Sequence, residues 1–263
     1  MSARTGLLRA EWTKLRSVRS TFWSLFVLGG AMIGFTALVA GIQAGDWNSM
    51  SAADRHDLIA DPVGNTLIEG ALWATLGACI LGVMVMATEY STGLIRSSIL
   101  ATPKRTGLLT AKATVFGLAT LVVSEISGFI AFFVAKGFLG SHISMSLGDG
   151  RTLAAVAAAG PLVTVFGLLA FAIAAIVRHV AGALVISIAL TMLVPTMVIG
   201  LAGHAGRYIN TFLAGGNAPK NVLSTAKDHS DSVLSGWGSF GIECLWVALL
   251  IGAASYLLRR RDA

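Results

Sequence analysis

The sequence predicts an all-α integral membrane protein with six transmembrane helices and an amphipathic helix at its amino terminus. Three observations carry that expectation. Of 263 residues, 55% are apolar and only 12% are charged, against roughly 25% charged in soluble domains. The apolar residues fall in six runs, each long enough to cross a hydrocarbon core of about 30 Å as a helix. The 19 basic residues are concentrated in every second segment between those runs. Together these features exclude a soluble enzyme, a disordered chain and, despite 30 glycines, a collagen-like repeat.

Residues 1–21 form the first element. Leu7, Leu8, Trp12, Leu15 and Val18 recur at helical spacing, with Arg4, Arg9, Lys14 and Arg16 elsewhere around the helix. That pattern suits a helix lying on a membrane surface, with basic groups toward anionic headgroups. A signal peptide fits less well, because the basic region is long, the apolar run after it is too long and no A-x-A site ends it. The single six-helix domain then occupies residues 22–263, with spans at about 22–42, 71–88, 113–135, 153–177, 180–201 and 240–258.

Orientation follows from the flanks. Thirteen Lys and Arg residues lie on the side of the termini, including Arg96, Lys104, Arg105, Lys112, Arg178 and Arg259 to Arg261, against six on the other side. Cytoplasmic flanks are enriched in basic residues, so the chain is expected in the cytoplasmic membrane with both termini cytoplasmic. The net charge of +6 is accounted for by topology, and no nucleic-acid partner is expected. Cys79 and Cys244 both sit in apolar runs and suggest neither a disulfide nor a zinc site.

Between the second and third spans runs Glu89-Tyr90-Ser91-Thr92-Gly93-Leu94-Ile95-Arg96, continuing through Pro103, Lys104 and Arg105 to Lys112. This stretch is too polar to span and too apolar for a solvated linker. Pairs four apart, Tyr90 with Leu94 and Ile95 with Ile99, predict a short surface helix that Pro103 closes.

On these residues the chain resembles the permease subunits of type-2 ATP-binding-cassette exporters. The likeness lies in the charged amphipathic start Ala10-Glu11-Trp12-Thr13-Lys14-Leu15-Arg16, the six spans, and a Glu-x3-Gly-x9-Pro-x8-Lys pattern on Glu89, Gly93, Pro103 and Lys112. By layout it covers the chain, and by motif about 25 residues. The resemblance implies that the segment is a coupling helix docking on a separate nucleotide-binding ATPase, with Glu89, Gly93, Arg96, Pro103, Arg105 and Lys112 as its contact residues. It implies further that a second permease copy or homologue completes the exporter, and that ATP and Mg bind the partner ATPase. The sequence contains no Gly-x4-Gly-Lys-[Ser/Thr] loop to cradle a nucleotide, so no cofactor is expected on this chain. Family members often carry two short re-entrant helices before the last span; residues 202–239 are long enough, and Gly215-Gly216-Asn217-Ala218-Pro219 reads as a turn.

Within the spans, Glu125 lies near the middle of the third run, where an exposed charge is costly. It is the candidate for a polar contact in a translocation path or a proton-coupled site, with a structural glutamate as the competing reading. Glu243 and Glu69 lie near span ends, within snorkelling reach of the interface. Gly30 and Gly34 form a small-x3-small pair suited to close helix approach, and Pro195 is expected to loosen the fifth span. The five histidines include no His-Glu-x-x-His, and no Gly-x-Ser-x-Gly elbow occurs, so neither a catalytic nor a metal site is expected. The substrate expected is a small amphipathic molecule, peptide or lipid. An ion-coupled secondary transporter using Glu125 and a non-transporting scaffold are the alternatives.

Overall fold

A computed structural model describes residues 3–91, 105–226 and 233–261. Among them every regular element is helical. The order is α1 (Ala3–Ser17), α2 (Arg19–Gly45), α3 (Ala52–Ala60), α4 (Pro62–Ser91), α5 (Arg105–Leu139), α6 (Gly150–Val177), α7 (Val180–Ile188), a π-helical segment (Ala189–Leu193), α8 (Val194–Phe212), α9 (Ala218–Leu223) and α10 (Gly236–Arg261). Six helical stretches are long and apolar enough to cross a membrane: Arg19–Gly45, Pro62–Tyr90, Gly107–Leu139, Gly150–Val177, Val180–Gly200 and Gly236–Arg260. Five of them contain one of the runs expected from hydropathy and extend it at one or both ends, and Val180–Gly200 matches the fifth run, 180–201, to within one residue.

The bundle is built around α6. Its most apolar stretch is 78% buried, against 17% for α10, because α6 touches α4, α5, α7 and α10. In lipid there is no hydrophobic drive between helices, so close packing of small residues takes over. Gly82 of α4 lies directly against the Gly167 carbonyl of α6, and Gly70 of α4 against the Met32 carbonyl and Thr36 Oγ1 of α2. A methyl group at either position would collide with backbone. The expected pair Gly30 and Gly34 is not used this way within the chain: both are exposed with open space around them. They share that outward face of α2 with Phe22, Phe26 and Leu38.

Pro195 acts one turn earlier than a simple kink. A proline cannot donate to the carbonyl four residues back, and the five residues Ala189–Leu193 just before it adopt π-helical geometry, with the Val194 N–H bonded to the Ala189 carbonyl. Between α8 and α9 the chain turns at 213–217, as the glycine-rich stretch suggested, and Trp246 Nε1 of α10 donates to the Phe212 carbonyl at 2.9 Å. The short α9 packs on α4, α6 and α10.

Candidate functional site: an ion cluster where α1, α4 and α5 meet

Glu11 is four-residue neighbour to Leu7 and Leu15 on α1, so it points into the bundle while Trp12 and Leu8 stay exposed. Glu89 sits in the last turn of α4, and Lys112 is eight residues into α5. The structure brings the three together. Lys112 Nζ donates to Glu11 Oε2 at 2.7 Å and to Glu89 Oε1 at 2.6 Å, with side-chain exposures of only 6%, 4% and 12%. Lys14, three residues after Glu11 on the same helix, lies 3.3 Å from Glu11 Oε1 and 3.6 Å from Glu89 Oε1, its own side chain being 46% exposed.

Two carboxylates thus face two ammonium groups, and the cluster is neutral as a whole. Buried charges persist only when paired and hydrogen-bonded, and the 2.6–2.7 Å bonds are at the short limit for charge-assisted contacts. Beside them the Arg178 guanidinium lies 4.9 Å from the Tyr90 ring centroid, joining the end of α4 to the turn before α7. Arg178 has φ +60°, and His179 Nδ1 accepts from the Gly182 N–H at 3.3 Å, capping α7. A cleft of about 380 Å³ opens next to the cluster, walled by Lys14, Ser20, Ser24, Leu81, Met84 and Val85.

Of the residues expected in the coupling segment, Glu89 and Lys112 are therefore bonded to each other inside the chain. Gly93, Arg96 and Pro103 lie outside the described residues, and Arg105 opens α5. The cluster fastens the last turn of α4 and the early part of α5 to α1. Glu11 and Lys14 are members that the sequence reading did not single out as a site. The signal for Glu11 was present: it is the one acidic residue among the first 21, set in a strongly basic helix.

Glu125 is placed elsewhere, in mid-α5 against Gly160 of α6, where a Cβ on the glycine would meet both its carboxylate and its backbone. Next to it Ser124 Oγ donates to the Gly160 carbonyl at 3.1 Å. The carboxylate thus lies at the α5–α6 crossing. At the opposite end of the bundle Asp61 joins α4 to the segment after α9: Oδ1 accepts from the Thr225 N–H at 2.7 Å and from Thr225 Oγ1 at 2.6 Å, and Oδ2 from Ser224 Oγ at 2.7 Å. Asp61 Oδ1 also accepts from the Gly64 N–H, capping α4. Asp149 caps α6 there; slight desolvation raises its carboxyl, but hydrogen bonds from Thr152 and the neighbouring Arg151 charge outweigh it and hold it below the usual range. Among the described residues no group of three or more His, Cys, Asp or Glu side chains is placed to hold a metal. No protein-family model matches the chain, and no curated protein matches it significantly.

Proposed function

We propose that the chain is the permease subunit of an ATP-driven exporter, working with a second permease copy and a separate nucleotide-binding ATPase at the cytoplasmic membrane. The observation that carries this reading is the ion cluster. Lys112 ties Glu89, just before residues 92–104, to Glu11 of the amino-terminal helix, so force applied to that segment is delivered to α1, α4 and α5 together. A rigid connection of this kind is what a mechanical coupling element needs. The excess of basic residues at this end supports a cytoplasmic position for it, where an ATPase works. Gly93, Arg96, Pro103 and Arg105 then face the ATPase, while Glu89 and Lys112 hold the segment in position. ATP and Mg stay on the partner.

The test is a mild-detergent pull-down of the tagged protein from its native membranes with mass spectrometry of the bound proteins. A nucleotide-binding ATPase is expected with the intact chain and is lost when Ser91 to Thr102 are deleted, in a variant shown to be inserted and monodisperse. Recovery of the protein alone, from membranes that contain such ATPases, or equal recovery with the deletion, refutes the reading.

A further inference from the structure

A second buried charge lies away from the ion cluster. Glu243 of α10 is 1% exposed, where the sequence suggested a side chain snorkelling to the interface. Its Oε1 accepts from the Gly215 N–H at 2.8 Å. Its Oε2 is buried and meets no hydrogen-bond donor among the described residues, and no ion pair to Glu243 occurs among them.

The surroundings supply oxygens in place of donors. Gly215, at φ +79°, rests its α-carbon on the Thr191 carbonyl of the π-helical segment, and Pro195 has no N–H to give that carbonyl. Gly216 packs on the main-chain carbonyl of Asn210. Asn210 is also 1% exposed; its Nδ2 donates to Asn217 Oδ1 at 2.8 Å, while its own Oδ1 is buried with no donor among the described residues. The Glu243 carboxylate and the main-chain carbonyls of Thr191 and Asn210 therefore border one two-glycine turn, and the buried Asn210 amide is tied by its Nδ2 to Asn217 at the end of that turn.

We propose that Glu243 Oε2, Asn210 Oδ1 and the Thr191 carbonyl form a binding site for a monovalent metal cation, with sodium as the probe. Hard oxygen donors suit alkali and alkaline-earth ions. The single carboxylate balances one positive charge, which favours a monovalent ion over calcium or magnesium in so dry a place. Backbone carbonyls at interrupted helix segments coordinate such ions in transporters, and π-helical segments are frequent at functional sites. Bound there, the ion joins the fifth span, the last turn of α8 and the sixth span.

The experiment is thermal unfolding of the purified full chain in detergent, titrating sodium chloride against N-methylglucamine chloride at constant ionic strength and pH, with lithium, potassium and calcium arms. A saturable rise in Tm with sodium is expected, on the order of 5 °C at a hundredfold excess over Kd, together with broadening of the sodium-23 resonance. Glu243→Gln keeps an oxygen for the Gly215 N–H and is expected to lose the response. No difference between sodium and N-methylglucamine in the unmodified chain overturns the proposal, whether or not the variant folds. So does an unchanged response in Glu243→Gln. A response to calcium only overturns the monovalent assignment.

Discussion

Replacing Lys112 by Met is the most informative single perturbation. It leaves Glu11 and Glu89 close together in a site where their side chains are 4% and 12% exposed. Removing one partner of a buried ion pair costs about 3–5 kcal/mol, because the remaining charge is left without compensation. Lys14 remains 3.3 Å and 3.6 Å from the two carboxylates, but at 46% exposure its attraction is screened and recovers less than about 1 kcal/mol. The expected loss is therefore near the lower limit, about 3 kcal/mol, which for a chain of this size lowers Tm by roughly 6–12 °C. The assay is thermal unfolding in detergent, with limited proteolysis to detect release of α1. The triple variant Glu11→Gln, Glu89→Gln, Lys112→Met removes every charge that Lys112 contacts and is expected to regain at least half of the loss, since an uncharged replacement of a buried pair is often neutral. A loss below about 1 kcal/mol for Lys112→Met, or a triple variant no more stable than the single one, refutes the description of the cluster as a buried, mutually dependent network.

Further outcomes follow from other parts of the fold. Gly215→Ala combines a left-handed backbone with a methyl group driven into the Thr191 carbonyl; a loss of at least about 2 kcal/mol is expected, whereas Gly30→Ala and Gly34→Ala, in open space, leave Tm within about 0.5 kcal/mol of the parent. Asp61→Ala removes the acceptor for Ser224 and Thr225, which costs about 2 kcal/mol and exposes residues 224–226 to protease. Asp149 is held below its ordinary range, so its contribution is present above about pH 4, its unfolded value, and disappears as pH falls through the lower folded value; Asp149→Asn is expected to flatten that part of the Tm–pH profile between pH 5 and 3. Gly82→Ala, which meets the Gly167 carbonyl, forces α4 from α6 and is expected to abolish a monodisperse species in size-exclusion chromatography.

The spans were legible because their cause is local. A helix needs about 20 apolar residues in succession to satisfy both its backbone and the lipid, and that condition is written along the chain at 22–42 or 153–177 without reference to any other segment. The turn at Gly215 and Gly216 was legible for the same reason, since glycine lowers the cost of a left-handed backbone by itself. Gly30 and Gly34 show the limit. Spacing marks a surface capable of close approach, but which helix meets which is settled by the whole arrangement, and within this chain α2 and α4 cross at Gly70 instead.

The charged groups were decided by tertiary structure. Lys112 and Glu11 are 101 residues apart, and nothing in the sequence around either one distinguishes a lysine facing an ATPase from a lysine neutralised inside the chain. Glu243 looked close enough to a span end to reach water, yet the α8–α9 turn covers it. Composition and periodicity determine how each segment meets lipid, because that free energy depends on the segment alone. The partner of a buried charge depends on which helices pack together, and only the folded bundle supplies that.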